Sequence, residues 1–263
     1  FMSSPAISVM LARFILSIWL VSKHWPLNAR TGQRLLEIAP PDSVTDVLTI
    51  GTYNIHRGRG LDGKRDLTRI AKVIAGCDVV ALQEVEGHGL RHLGNQAYML
   101  GQACGYSAHF SPTRRQLFFP HRGNALLTRL PVTYWRREPL SPTTGKAYRN
   151  VTIYNIEVNG HVIHVLNTHL SKPSEQSAPL GYVIELFLSL ERAVLVGDFN
   201  ARQTEPKLRE LLGSNIEDAT ALCCDDPDRI DWILVRGIEI LSARRQPPGA
   251  SDHPFFCATL RLR

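Results

Sequence analysis

Short apolar runs that end in a carboxylate or an amide recur along this chain and alternate with stretches of helical periodicity. Ala193-Val194-Leu195-Val196 runs into Gly197 and then Asp198-Phe199-Asn200, the pattern of a buried strand with chemistry at its tip. Side chains alternate faces along an extended chain, so Asp198 and Asn200 share a side if the strand continues through Phe199; an Asx-type turn is the alternative. Val47 to Tyr53 predicts a strand ending at Asn54, and Asp78 to Gln83 one ending at Glu84. Between them Leu67, Ile70, Ala71 and Ile74 fall at helical spacing, with Asp66 as N-cap and Gly76 as stop. Glu86 to Phe119 is rich in Gly, His and Arg and reads as loops around a helix near Asn95 to Cys104.

Asn124 to Thr128 resumes strand character. Val151–Val158 and His161–Thr168 flank Asn159-Gly160, a strong signal for a two-residue hairpin turn, which sets His169 at a strand end. A helix is predicted from Ala178 through Leu190, a short one over Pro206–Leu212, and strands over Ile230–Val235 and Phe255–Leu262. Strands alternating with helices indicate an α/β fold.

The chain opens differently. Ile7 to Val21 is apolar except for Arg13 and the small polar positions, short of the ~20 residues of a spanning helix. It has neither the basic flank nor the small-residue cleavage site of a secretory signal, and it predicts an amphipathic or wholly buried helix. Pro40-Pro41 closes this segment, giving a helical apolar leader over residues 1–45 and one domain over 46–263.

Composition narrows the class. With 44% hydrophobic and 21% charged residues in 263, the chain is a folded globular protein with enough length for a sizeable core. Thirty Lys and Arg against 24 Asp and Glu give a net charge of +6, which favours an anionic partner. The doublets Arg114-Arg115, Arg136-Arg137 and Arg244-Arg245 each read as solvated basic surface. Five cysteines lack metal-ligand spacing, which argues against a zinc site and for a reducing, cytoplasmic setting.

Asn54, Glu84, His169, Asp198, Asn200, Asp231, Asp252 and His253 all fall at strand ends, so a layered sheet brings them to one rim. Carboxylates, amides and imidazoles without a nucleophilic cysteine or serine suit a hard divalent ion, Mg2+ or Mn2+, and the hydrolysis of phosphate esters. Asp231 inside an apolar run requires a partner if buried.

Thr52-Tyr53-Asn54-Ile55-His56, Leu82-Gln83-Glu84-Val85, Gly123-Asn124-Ala125-Leu126-Leu127, Asn167-Thr168-His169-Leu170, Gly197-Asp198-Phe199-Asn200, Arg229-Ile230-Asp231-Trp232-Ile233 and Ser251-Asp252-His253-Pro254 occur in order. Together they resemble the endonuclease/exonuclease/phosphatase superfamily of deoxyribonuclease I-like, metal-dependent phosphoesterases, over roughly residues 46–263. The resemblance implies a four-layer α/β/β/α sandwich of two mixed sheets. It implies Glu84 as principal metal ligand with Asn54 beside it, Asp252 as a further metal or supporting acid, and Asp198 as the group that orients or deprotonates water. Asn200 and His253 would hold the phosphate, Asp231 would hold the His253 ring, and His169 would be a second catalytic histidine.

Asn124, Arg57 and Arg122 would contact substrate. A nuclease acting on DNA or RNA is the first expectation, supported by Arg57, Arg59, Lys64 and Arg65 after the first motif. A sphingomyelinase-like lipid or small-molecule phosphodiesterase is the alternative, using an anionic membrane surface reached through the N-terminal segment. A catalytically silent binding protein is the third reading, distinguished by an absence of metal-dependent turnover.

Overall fold

The computed structural model describes residues 4–22, 24–26, 29–33, 46–89, 94–116, 120–141, 148–175 and 177–262. Helix α1 (Ser4–Ser22) and strands β1 (His24–Pro26) and β2 (Arg30–Gln33) precede β3 (Val47–Asn54), α2 (Leu67–Ile74) and β4 (Val79–Glu86). Then come α3 (Gln96–Cys104), β5 (Ser107–Gln116), β6 (Arg122–Thr128), β7 (Val132–Leu140), and the hairpin of β8 (Arg149–Val158) and β9 (His161–His169). The remainder holds α4 (Ala178–Leu188), β10 (Ala193–Asp198), α5 (Pro206–Leu212), β11 (Glu217–Asp218), β12 (Asp231–Arg236), β13 (Glu239–Gln246) and β14 (Phe255–Arg261).

These strands form two mixed sheets of seven, ordered β1-β5-β6-β4-β3-β14-β13 and β11-β12-β10-β9-β8-β7-β2. Period-two alternation builds the layers. Leu48 and Ile50 of β3, Val79 and Ala81 of β4, Val194 and Val196 of β10, and Ile233 and Val235 of β12 share the core between the sheets. Their neighbours point outward. Val80 and Leu82 pack with Ile70, Ile74 and Leu100 beneath α2 and α3, while Leu195, Trp232 and Leu234 pack with Val183, Phe187 and Leu208 beneath α4 and α5. The result is the expected four-layer sandwich, in which each fully buried large side chain contributes on the order of 1.5–3 kcal/mol.

Inward-facing positions change character toward one end of the sandwich. On the same parity as the core residues come Thr52 and Asn54, Gln83, Asn167 and His169, Asp198, and Asp231, all buried. Gln83 Nε2 donates to Asn167 Oδ1 at 2.9 Å and to Thr52 Oγ1 at 3.2 Å, and Asn167 Nδ2 donates to the Ala125 carbonyl at 2.8 Å. This satisfied polar layer bridges the two sheets and separates the apolar core from the rim.

Local signals account for the helices. Asp66 accepts from the Thr68 N–H at 2.8 Å to cap α2, and Asn95 accepts from Ala97 at 3.0 Å to cap α3, which ends at Gly105 in the left-handed region.

Three expectations change. Ser107–Gln116, read as loop, is strand β5, pairing with β6 over Ser107–Arg114; burial alternates along it but hydrophobicity does not, because its buried face carries Ser107, His109 and Ser111. In the leader, His24–Pro26 pairs with β5 and Arg30–Gln33 with β7, so the helical expectation holds for Ser4–Ser22 and gives way to two edge strands after it. Pro26 suits an edge, where no ladder donor is needed. Helix α1 is neither amphipathic nor buried: Ile7, Val9, Met10, Leu11, Phe14, Ile15, Leu16, Ile18 and Trp19 are 51–63% exposed. No described helix is long and apolar enough to cross a membrane.

Candidate active site

Register brings the strand tips together. Asp198 at the end of β10 lies opposite His169 on its parallel neighbour β9 and opposite Asp231 on its antiparallel neighbour β12. Such close strand approach depends on Gly197, whose φ is +144° and where a Cβ would stand 1.9 Å from the Thr168 carbonyl oxygen. From the other sheet, Asn54 at the end of β3 donates through Nδ2 to Asp198 Oδ2 at 3.0 Å. That hydrogen bond crosses the sandwich.

Glu84 reaches the same place through a bulge. Leu82 pairs with Ala125 and Val85 with Gly123, so two residues of β4 oppose Asn124 alone, and Glu84 adopts φ +53°. The kink turns its side chain from the sheet toward the rim, where Oε1 lies 3.5 Å from Asn54 Nδ2. Left-handed backbone recurs nearby at His56, Arg57 and Asn200, a concentration of local strain of the kind that functional sites hold.

Beyond Asp198 the strand stops. Asn200 has φ +49° and its N–H donates to Asp198 Oδ1 at 2.9 Å, so the Asx-turn alternative is the one adopted, and the turn itself delivers both side chains to the rim. Asn200 Nδ2 donates to the Leu170 carbonyl at 2.9 Å and lies 3.2 Å from His169 Nε2.

His253 sits on the segment before β14, with Nδ1 donating to Asp231 Oδ2 at 2.8 Å and Nε2 3.8 Å from Asp198 Oδ2. Buried Asp231 therefore has the partner its burial requires. Ser251 helps place this segment, donating from Oγ to the Asn54 carbonyl at 2.7 Å.

The charges are arranged unequally. Burial, then the charge of Asp231, pushes the Asp198 carboxyl up to about 7, against the opposing pull of His253 and of the Asn200 and Asn54 donors. Burial lowers His253, but its hydrogen bond to Asp231 and the charges of Asp231, Asp198 and Asp252 outweigh this and raise it to about 9. His169 goes the other way: burial, Arg149 and His253 hold it well below the usual histidine range. Its 3.4 Å approach to Asp198 is thus the contact of a neutral ring rather than an ion pair. One imidazolium, one neutral imidazole and one carboxyl poised near neutrality make a set that can hold an anion and move a proton.

Glu84, Asn124, His169, Asp198, Asn200 and His253 line one cleft of about 370 Å3, with Arg122 at its rim. Asn54 and Asp231 stand directly behind this lining. Two expected residues lie outside it. Asp252 is exposed and turns to His56 Nδ1 at 3.2 Å; Arg57 contacts His56 at 2.7 Å and comes within 4.0 Å of Glu84. Arg114, Tyr148 and Arg149 line the cleft and were not singled out in sequence. Arg114 belongs to a doublet read as solvated surface, and only its place on β5, itself illegible, turns it inward.

A family profile described as Endonuclease/Exonuclease/phosphatase family matches residues 51–253. The chain belongs to this family. Endonuclease/exonuclease/phosphatase proteins are hydrolases of phosphoester bonds. Similar folds include an endonuclease/exonuclease/phosphatase from Beutenbergia cavernae, at 24% identity and TM-score 0.70, covering 82% of this chain and 72% of that one. A mannosyl-6-phosphatase from Bacteroides thetaiotaomicron is 19% identical with TM-score 0.65, covering 82% and 100%. A humanized D. rerio TDP2 is 17% identical with TM-score 0.59, covering 83% and 100%. No curated protein matches the sequence.

The family generally depends on a divalent metal, and the residues here fit one. Asp198, Asp231 and His253 bring potential ligand atoms within 4.8 Å of one another, but a charged His253 ring has no lone pair to give a metal, so the fit rests on Glu84 and Asn54. The half-buried Glu84 carboxylate, with the Asn54 amide beside it, supplies the hard oxygen donors that Mg2+ or Mn2+ prefers.

Proposed function

We propose that this chain is a Mg2+- or Mn2+-dependent phosphodiesterase that hydrolyses the backbone of DNA or RNA by attack of water on phosphorus. The observation that carries this reading is the convergence of Asp198, His253 and Asp231 with Asn54, across the two sheets, at hydrogen-bond distance. Asp198, with its carboxyl near 7, accepts a proton from water and is oriented for it by Asn54 and by the Asn200 N–H. His253, kept charged by Asp231, and the Asn200 amide hold phosphate oxygens, where positive charge gains strength as the transition state forms. His169, neutral and beside Asp198 and Asn200, contributes a ring nitrogen to the phosphate or the leaving oxygen. Glu84 and Asn54 would hold the metal, which when bound neutralises charge on a nonbridging phosphate oxygen. Asp252 stays a supporting acid in this reading, because its carboxylate faces His56.

Nucleic acid is favoured by the excess of Lys and Arg and by the arginines along the cleft, which attract a polyanion without reading bases. The test is a substrate panel: supercoiled plasmid, an abasic duplex, RNA and phospholipids, each in Mg2+ and in chelator, beside Asp198→Ala. Metal-dependent nicking lost in the variant supports the reading. No metal-dependent turnover on any substrate by a folded protein contradicts it.

One observation favours a second reading, hydrolysis of a lipid or small phosphoester at an anionic membrane surface. Helix α1 exposes nine large apolar side chains, and a bilayer interface would take them out of water. Co-sedimentation with phosphatidylserine vesicles, lost when Phe14, Ile15, Leu16 and Ile18 become Ser, supports it; lipid cleavage without plasmid cleavage would make it the better account.

A further inference from the structure

The wall of the cleft built by β5, β6 and β8 is cationic beyond the needs of one diester. Arg114 of β5, Arg122 at the start of β6 and Arg149 at the start of β8 line it together with Thr113 and Tyr148. Thr113 Oγ1 donates to the Arg122 carbonyl at 3.0 Å, tying β5 to β6 at this point. Arg149 Nε donates to Ser171 Oγ at 3.1 Å, which anchors the half-buried guanidinium at the floor of the wall. Among the described residues no carboxylate forms an ion pair with Arg122 or Arg149.

The guanidinium groups lie close enough to repel. Burial, then the charges of Arg122 and Arg149, lowers Arg114 below the usual arginine range, and burial does the same to Arg149 although Asp198 and Glu84 pull against it. Arg114 and Arg149, partly desolvated, share this wall with exposed Arg122, and like charges gathered so destabilise the free protein. An anion relieves that cost. The diester being cut brings one negative charge and, in the proposed reading, is held by Asn200, His169 and His253, so three further cations along the same cleft call for a second anion. Arginine forks match phosphate oxygens bidentately.

We propose that Arg114, Arg122 and Arg149 form a second phosphate-binding subsite, so that the cleft selects a phosphodiester bearing a further phosphate on the part of the substrate that lies against this wall. This rests on the reading of the cleft as a phosphodiesterase site and names what that site prefers. The further phosphate is either a terminal monoester or the next diester of a strand.

The experiment compares kcat/KM of the full chain in Mg2+ for the dinucleotide TpT, which has a single diester, with pTpT, TpTp and TpTpT, which have one phosphate more. At least one of the longer set should exceed TpT by about ten- to a hundredfold, and Arg114→Gln combined with Arg122→Gln should bring the ratio to within about twofold. Preference for pTpT or TpTp identifies a terminal monoester; preference for TpTpT alone identifies the neighbouring backbone phosphate. Equal kcat/KM across the set, or a preference that survives the double substitution, overturns the subsite.

Calorimetric titration of the same oligonucleotides into Asp198→Asn separates this inference from the reaction. If none is cleaved but the extra phosphate tightens binding and the arginine substitutions abolish the gain, the subsite stands and the hydrolytic reading falls. Equal binding of all four overturns the subsite whatever the turnover.

Discussion

At the scale of single residues, Asp198 carries the chemistry because its surroundings disagree about its charge. Burial and Asp231 favour the protonated form, while His253, the Asn200 N–H and Asn54 favour the carboxylate, and the balance leaves a base that works at neutral pH. Asp198→Asn keeps the shape and removes the base, so kcat should fall by about 10³-fold or more with the thermal unfolding midpoint little changed. Asp231→Asn removes the partner that keeps the His253 ring charged and oriented; a loss of about 10²-fold in kcat/KM is expected, read by steady-state kinetics. His109 offers a test away from the cleft. It is buried against Trp135, with Nδ1 2.9 Å from the Tyr154 hydroxyl, and burial, then Arg137 and Arg30, lowers it to about 4. The unfolded chain takes up this proton below its ordinary value of 6.5, and the folded chain does not until near 4, so stability is retained above 6.5 and lost as pH falls between the two. Chemical denaturation at pH 7 and pH 4 should show His109→Gln losing about 3 kcal/mol less than the parent across that window. The burial of His109 is not legible in sequence, because nothing in a loop-like stretch marks one ring as buried.

At the scale of elements, the sandwich is held by strands whose alternation is legible and by strands whose alternation is not. β3, β4, β8, β9, β10, β12 and β14 were all readable from apolar runs, and the Asn159-Gly160 turn fixed the pairing of β8 with β9. β13 escaped because an edge strand faces water and carries charge there, and Glu239–Gln246 has no buried position; β5 escaped because its buried face is polar, with Ser107, His109 and Ser111. The bulge at Glu84 was also invisible, since a single left-handed glutamate has no sequence signature. β9 and β10 approach closely at Gly197. Gly197→Ala forces a Cβ into the Thr168 carbonyl, so differential scanning fluorimetry should show destabilisation of about 3 kcal/mol or more, or failure to fold. Any folded fraction should lose activity, because splaying these strands parts Asp198 from His169. Asp66→Ala, which removes the α2 cap, should cost only about 1 kcal/mol and leave turnover intact.

At the scale of the whole molecule, the cleft is the place where the inter-sheet core runs out. Apolar pairs fill the middle, the Thr52, Gln83 and Asn167 layer follows, and Asn54, Asp198, Asp231, His169 and His253 stand at the open end. Strand-end position was enough to place Asn54, His169, Asp198 and Asp231 because alternation fixes which face each one takes, whereas His253 comes from the segment before β14. The cationic wall was not found, since its members lie on strands of weak pattern and in a doublet of ordinary appearance. Nor did the apolar leader betray how fully its side chains would be exposed, which depends on what lies next to it in space. The central claim is that this open end directs water onto phosphorus under the control of Asp198. Single-turnover hydrolysis of DNA in water labelled with heavy oxygen, in Mg2+, tests it most directly. The account predicts one labelled oxygen in the product phosphate, formed by the parent protein and lost with chelator or with Asp198→Asn. Label appearing in the alcohol product instead, or in phosphate at an undiminished rate with Asp198→Asn, would contradict it.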